Sequence, residues 1–453
     1  MSKSVLLQTY ERVLQMQILQ SAIAQNESKS HLKGLVGSSL SFVISNAFKQ
    51  TDKPFLIVFN DKEEAAFYLN DLEQLCGEKD VFFYPGSYRR PYQIEETDNA
   101  NVLLRAEVLN RINSRKKPAI IVTYPDALFE KVVTRKELDR NTLKITVGDK
   151  LSIDFINEAL FEYQFKRVDF VTEPGEFSVR GGIVDVFSFS HDVPYRMEFF
   201  GDEVDSLRTF DVETQLSIEQ INKINIIPNV ENKFLDEQRE SFLKYMAQKT
   251  TVFFKNADLF FSRIDDFFSK AEEAFKTLST TLKHAEPNEL FCNSTLLKRQ
   301  LLDFSIVEFG TSAFFKSNVI ASKTKQSVPN EEIASSKTPR NNEIIFNTTP
   351  QPSFNKQFDL LIEDLNANYE KGFANYIVCV SEQQAKRFHD IFDDSHLEVK
   401  PYKTVVLSLH QGFVDHENKI LCYTDHQIFE RYHKFQIKNG YAKKHAITLK
   451  ELT

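Results

Sequence analysis

The chain has 453 residues, about three times the ~150 that serve as a prior for one domain, so several packed cores are expected. Its 56 Lys and Arg against 64 Asp and Glu leave a formal charge of −8, which excludes a chain that coats nucleic acid or an anionic membrane through bulk charge. Glycine is scarce, with 13 residues against 41 Phe, well below the usual share of about 7%, so a glycine-rich phosphate-binding enzyme has few places to reside.

Val5 to Gln25 carries apolar residues at helical spacing. Glu11 and Arg12 interrupt what would be the apolar region of a signal peptide, and no apolar run approaches the ~18 residues of a membrane span. Cys76, Cys292, Cys379 and Cys422 form no C-x-x-C pair, which fits a reduced, cytoplasmic setting away from membranes. Next come HLKGLVG, a helix near Leu40 to Phe48, the strand FLIVF at Phe55 to Phe59, a helix from Lys62 to Cys76 and the strand VFFYP at Val81 to Pro85. A helix from Asn99 to Arg111 and the strand AIIVTYP at Ala119 to Pro125 continue the alternation, which predicts a parallel sheet with helical crossovers.

After a helix from Leu151 to Phe165 the pattern changes to five short β-like stretches, with turns at Pro174-Gly175, Gly181-Gly182 and Gly201-Asp202. These leave no room for helices and predict an antiparallel α+β insert. Helices return beyond Ile218, at Asp236 to Ala247 and Ala257 to Phe275, before a strand-like SIVEF. Lys316 to about Pro352 is rich in Ser, Thr, Lys, Asn and Pro and predicts a linker or long loop. A last α/β unit runs from Phe354 to about Phe435 with YIVCVS, a helix at Glu382 to Phe392, VVLSL and KILCYT. The closing YAKKHAITLKELT opens a new amphipathic pattern and stops within it, as expected of a chain cut from something longer.

One segment has the placement of a phosphate loop: GLVGSSLS, after a strand and opening a helix. Such a loop needs glycines so that backbone N–H groups can wrap phosphates, a Lys for the β and γ oxygens and a hydroxyl for Mg²⁺. Gly34, Gly37 and Ser41 fit that pattern, but Ser39 stands for the last Gly and Leu40 for the Lys. Each charge-assisted hydrogen bond lost is worth roughly 1.5–3 kcal/mol. A structural relic is the reading preferred over weak nucleotide or anion binding at the helix N-terminus.

MEFFGDE (Met197 to Glu203) and LLIED (Leu360 to Asp364) imitate a Mg²⁺-binding strand. The first reads better as a hairpin turn and the second as helix. His410, His416, His426 and His433 match no zinc spacing, so surface or core histidines are expected and no metal. No G-x-S-x-G and no paired carboxylates stand out as catalytic. Arg89, Arg90 and the Arg115-Lys116-Lys117 cluster read as solvated loop charges, with direct DNA contact left open.

The insert is more informative. Phe177 and Val179 alternate with Glu176, Ser178 and Arg180, Tyr195, Met197 and Phe199 with Arg196 and Glu198, and Val168 and Phe170 with Arg167 and Asp169. One face is thus expected to be apolar and the other to carry arginines and acids, as a solvated face or as a docking face.

The run FVTEPGEFSVRGGIVDVFSFSHDVPYRMEFFGDEVDSLRTFDVETQ, Phe170 to Gln215, resembles the second domain of the excision-repair protein UvrB. It resembles more closely the counterpart of that domain in the bacterial transcription-repair coupling factors. FFYPGSYRRPY, GLVGSSLS and the region after His426 resemble other parts of that family. The resemblance covers essentially the whole chain, is most specific from Glu173 to Gln215 and is loosest from Gly310 to Phe435.

The resemblance implies a multidomain α/β fold. A degenerate P-loop-type parallel α/β domain, at 1–138 (domain 1a) and 216–315 (domain 1b), is split by a UvrA-binding α+β antiparallel-sheet insert at 139–215. A flexible linker at 316–352, a small α/β third domain at 353–437 and, at 438–453, the start of a linker to an RNA-polymerase-interacting domain follow. The family recognises RNA polymerase stalled at a DNA lesion, displaces it with an ATP-driven translocase on double-stranded DNA, and recruits UvrA. The implied role of this chain is an adaptor without catalytic residues or a cofactor of its own, ATP and Mg²⁺ belonging to the missing translocase part. It is expected to be a monomer that docks UvrA through Arg167, Phe177, Arg180 and Arg196, a face that a C-terminal autoinhibitory domain hides in the longer protein. Ser178 departs from a UvrB arginine. The alternatives are an active UvrB-like ATP-dependent helicase or damage sensor whose turnover depends on Ser41, and zinc binding by the last α/β unit.

Overall fold

In the computed structural model, which describes residues 6–9, 13–25, 27–87, 92, 99–114, 117–229, 238–278, 285–315 and 343–432, seven strands form one parallel sheet. Their order is Glu343–Ile345, Lys29–Lys33, Ser305–Phe309, Thr251–Phe254, Phe55–Val58, Ile120–Thr123 and Val81–Tyr84. FLIV, IIVT, TVFF and SIVEF are buried along their whole length, as parallel strands covered on both faces must be. The Ser39–Gln50, Lys62–Cys76, Asn99–Ser114 and Ala257–Thr277 helices lie among them in sequence as expected. The second starts where the Asp61 side chain accepts the Glu64 N–H and stops at Gly77, which takes a positive φ. Thr251 pairs with both Phe55 and Ser305, so segments before and after the insert complete a single sheet.

Two expectations need correction. The helix at Asp236 to Ala247 shrinks to one turn, Phe242–Tyr245, capped by Ser241. Phe242, Leu243 and Tyr245 are all buried there, which leaves no polar face for a longer helix, and Arg239–Glu240 is instead paired with Val132–Val133. The stretch from Lys316 to Pro352 is not all linker: Glu343–Ile345 adds an edge strand to the large sheet and Thr348–Pro350 joins the sheet of the last unit. Ile344 and Phe346 are buried and anchor this crossing. Residues 316–342 and 438–453, Arg89, Arg90, Arg115, Lys116 and His433 lie outside the described residues.

The insert is a six-stranded sheet in the order Ser217–Ile221, Glu203–Phe210, Tyr195–Phe200, Ile183–Val186, Glu176–Arg180 and Lys166–Arg167. It therefore runs past residue 215. Neighbours are antiparallel except the last pair, which is parallel. Phe161, on the Ile153–Glu162 helix, meets the Phe177 ring edge to face at 5.2 Å, which places that helix under the apolar face. Gly201-Asp202 forms the hairpin turn between the third and second of these strands, with Gly201 at φ 63°. Leu143–Thr146 pairs with Lys223–Ile226 where the chain enters and leaves.

The last unit is a five-stranded mixed sheet in the order Thr348–Pro350, Phe413–Asp415, Ile420–Thr424, Ala374–Cys379 and Lys403–Val406. Strand alternation sends its residues two ways. Ile377, Cys379, Leu421 and Tyr423 pack with residues of the Phe358–Glu370 and Glu382–Asp393 helices. Tyr376, Val378, Ile420 and Cys422 belong to the same buried cluster as the first unit. LLIED is helical, as its spacing predicts, and Asp364 accepts the Tyr423 hydroxyl at 2.7 Å.

Candidate functional site

The Gly34–Ser41 segment lies where the Lys29–Lys33 strand passes into the Ser39–Gln50 helix, and the last unit sits on it. The Ser38 N–H donates to the Gln411 carbonyl at 3.2 Å, and the Gln411 N–H donates back to Ser38 Oγ at 3.2 Å. The Val36 N–H is shared between Ser39 Oγ (3.0 Å) and Thr348 Oγ1 (3.1 Å), while Thr348 Oγ1 donates to the Gly34 carbonyl at 2.6 Å. A Cβ on Gly34 would stand 1.9 Å from the Phe346 carbonyl oxygen, and one on Gly37 would stand 3.0 Å from that of Gly412. Both glycines have positive φ, so the turn needs them for conformation and for the close approach of a second backbone.

Ser41, the hydroxyl expected at Mg²⁺, donates to Asp71 Oδ2 at 3.0 Å. Asp71 is fully buried, and its other oxygen accepts the His410 N–H at 2.8 Å, with His410 Nδ1 2.7 Å from Oδ2. Burial alone would raise the Asp71 carboxyl, but the His410 charge and hydrogen bonds from His410 and Ser38 hold it below the usual carboxylate range. Ser38 Oγ lies 3.2 Å from the same His410 nitrogen. Hydroxyl and acid thus meet one ring atom, so the cluster is a clasp and not a relay that could activate a nucleophile. Leu40 is buried and uncharged. These residues do not fit a nucleotide's phosphates: the lysine is absent, the hydroxyl is engaged, and the N–H groups of Val36 and Ser38 point at protein acceptors.

Beside the loop, at the carboxyl ends of the parallel strands, a cleft of about 710 Å³ remains. This is where open α/β sheets place ligands. Its polar groups largely satisfy one another. Asp61 caps the Lys62–Cys76 helix, Glu64 is paired with Lys255, and the Asn60 carbonyl accepts from Arg263. Burial lowers the Lys255 ammonium, with Asp61 opposing the shift.

On the insert the predicted alternation holds for four strands. Ser178, Asp185, Arg196 and Arg208 form one row across the sheet, and Phe177, Val186 and Tyr195 another. Asp185 is buried between two arginines: Arg196 reaches it at 2.7 and 2.9 Å, and Arg180 at 2.5 Å. Arg196 also donates to the Gln215 carbonyl and stacks 4.5 Å from the Phe210 ring, so only 16% of its side chain is exposed. It braces the sheet. Phe177, expected at the docking face, is 0% exposed, because strand alternation turns it into the core beneath the sheet.

Arg180 keeps 40% of its side chain exposed and lies 5.2 Å from the ring of Phe170, itself 61% exposed. Arg167 is exposed too, but its register sets it directly opposite Phe177, and paired residues share a face of the sheet, so it falls in the Phe177 row and not the Arg180 row. The accessible arginines therefore flank the edge of the sheet from its two sides. Sequence alternation assigned Phe170 to the apolar side and missed its exposure; only its position before a turn, at Pro174-Gly175, hinted at it.

Three of the four clustered histidines are within the described residues. His410 holds Asp71, His416 lies 2.9 Å from Thr349 Oγ1, and His426 lies 3.1 Å from the His410 carbonyl. Burial lowers His426 to about 4. No described helix is long and apolar enough to cross a membrane.

Residues 143–231 match the family described as the UvrB interaction domain. The chain is 33% identical over 198 residues to the transcription-repair-coupling factor of Bacillus subtilis (strain 168), a stretch covering 44% of this chain and 17% of that protein. It is 26% identical over 194 residues to the transcription-repair-coupling factor of Escherichia coli (strain K12), 43% of this chain and 17% of that protein. It is also 26% identical over 212 residues to the UvrABC system protein B of Thermotoga neapolitana, 44% and 32% of the respective chains. The matches thus span less than a fifth of the length of those coupling factors.

Proposed function

We propose that this chain, a relative of the transcription-repair-coupling factors with a UvrB interaction domain at residues 143–231, is the adaptor part of such a factor and recruits the excision-repair protein UvrA. The observation that carries the reading is the exposed edge of the insert, where Arg167, Arg180 and Phe170 present two guanidinium groups and a ring on a rigid sheet. Arginine and aromatic anchors of this kind dominate binding energy at protein interfaces. Arg196 and Phe177 support that edge from within. RNA polymerase, double-stranded DNA and an autoinhibitory domain are, on this reading, partners of the longer protein, which works in the cytoplasm.

The same reading assigns no ATP hydrolysis to these residues and no ATP or Mg²⁺ as cofactor. It is supported by Leu40 in the place of the phosphate-binding lysine, by the Ser41–Asp71 bond and by the seating of Gln411 on the Ser38 N–H. Two assays test it together. The chain is mixed with UvrA from the same organism and complex formation is followed by gel filtration; phosphate release from ATP is followed with and without DNA. A complex with background turnover is expected. Turnover abolished by Ser41→Ala would instead favour an active UvrB-like helicase or damage sensor, and absence of a complex would remove the adaptor assignment.

A further inference from the structure

We infer that the last α/β unit has a function of its own: its Ser408–Gly412 turn is a tethered substitute for phosphates, holding the vestigial loop, and with it the first unit, in one conformation without nucleotide. This rests on reading Gly34–Ser41 as a former phosphate loop. Anions are favoured at a helix N-terminus because its N–H groups point outward and its dipole is positive there. Here the negative end of a peptide dipole takes that place, as the Gln411 carbonyl accepts the Ser38 N–H one residue before the Ser39–Gln50 helix.

The turn is built to stay there. Gly412 donates its N–H to Gln427 Oε1 at 2.7 Å, and a Cβ on Gly412 would stand 2.0 Å from Gln351 Oε1 and 2.8 Å from the Cys422 carbonyl. Gln351 in turn accepts the Thr424 N–H at 2.7 Å, so the turn is fixed from within its own unit. Asn70 donates to the Ser408 carbonyl at 3.1 Å, at the other end of the turn.

A buried carboxylate binds the units more firmly than these neutral bonds. Asp71 comes from the first unit, and its oxygens are satisfied jointly by Ser41 of that unit and by the backbone and ring of His410. Removing the last unit would take from that acid both bonds that His410 supplies and leave it only the hydroxyls of its own unit. The other titratable groups around it, His426, Tyr68 and Cys422, stay neutral: burial lowers the first and raises the other two. The apolar contact surrounding this clasp is continuous, since Leu40, Val43, Leu407, Leu409 and Phe413 share one buried cluster.

Hydrogen exchange on the full chain, read by mass spectrometry with and without MgATP, tests the inference. In the wild type the segments around Ser38 and Gln411 are expected to be protected and unchanged by MgATP. His410→Ala should lose at least about tenfold protection in both segments, while the Ile420–Thr424 strand keeps its own. If His410→Ala does not fold, Ser38→Ala removes only the hydroxyl bonds and should speed exchange at Gln411 about tenfold. Random-coil exchange around Ser38 in the wild type, or no change at Gln411 in Ser38→Ala, overturns the clasp alone. MgATP that protects Val36–Leu40 and exposes the Gln411 segment would make the loop a working nucleotide site and overturn both this inference and the adaptor reading.

Discussion

At the scale of single residues, the chain separates groups that meet the solvent from groups that hold those groups in place. Asp71 is the clearest of the second kind. Its carboxyl lies below the usual range, so it adds stability above the unfolded-state value of about 3.9, and that contribution is lost as the pH falls through its folded value. Asp71→Asn should therefore cost about 3 kcal/mol at pH 7, by removing the carboxylate shared by the Ser41 hydroxyl and by the backbone N–H and ring of His410, and progressively less below pH 4. Urea unfolding at pH 7 and at pH 3.5 checks this, and a penalty that does not shrink with acid would contradict it. Phe177 makes a similar point. Phe177→Ala should destabilise the chain by about 3 kcal/mol through a core cavity, whereas Phe177→Leu should leave UvrA affinity within about twofold, because the ring contacts Phe161 and not a partner. A large loss of affinity in a stable Phe177→Leu variant would return that residue to the interface.

Among elements, legibility followed the length of the signal. The Lys62–Cys76 helix could be read to its last residue because Asp61 and Gly77 mark both ends. The strands at Phe55 and Ile120 showed as uninterrupted apolar runs. The strands Glu343–Ile345 and Thr348–Pro350 did not, because each is three residues in a polar stretch and owes its order to the sheets that receive it. The Gly34–Ser41 segment was legible as a strand-to-helix loop, but its occupant was not: Gln411 lies far along the chain, and no local pattern announces such a contact. The arginine row was legible from alternation, yet the parallel register that moves Arg167 to the other side of the sheet depends on a two-residue strand. One element-scale prediction follows from the clasp. Restoring the motif with Ser39→Gly and Leu40→Lys should not restore ATP turnover, since Ser41 and Ser38 remain engaged, and should cost about 2 kcal/mol by burying an ammonium in the place of Leu40. Phosphate release and thermal unfolding check both parts, and DNA-dependent turnover in that variant would count against the account.

For the molecule as a whole, a split parallel sheet carries an insert on one side and a docked α/β unit on another, with the net charge of −8 leaving any anionic partner to local sites. On the proposed reading the docked unit holds the Gly34–Ser41 loop, and the insert offers the surface on which a partner is gripped. The measurement that bears most directly on this account is the affinity of the chain for UvrA from the same organism, by titration calorimetry, in the wild type and in the double variant Arg167→Ala, Arg180→Glu. The double variant should unfold at a somewhat lower midpoint, since Arg167 is exposed but Arg180→Glu sets a second carboxylate beside the buried Asp185, which keeps Arg196, and the affinities are compared where both chains are folded. The double variant should bind at least about thirtyfold more weakly, the loss of roughly 2 kcal/mol or more that interface arginines carry. Equal affinity in the two chains would contradict the claim that this edge of the insert is the working surface.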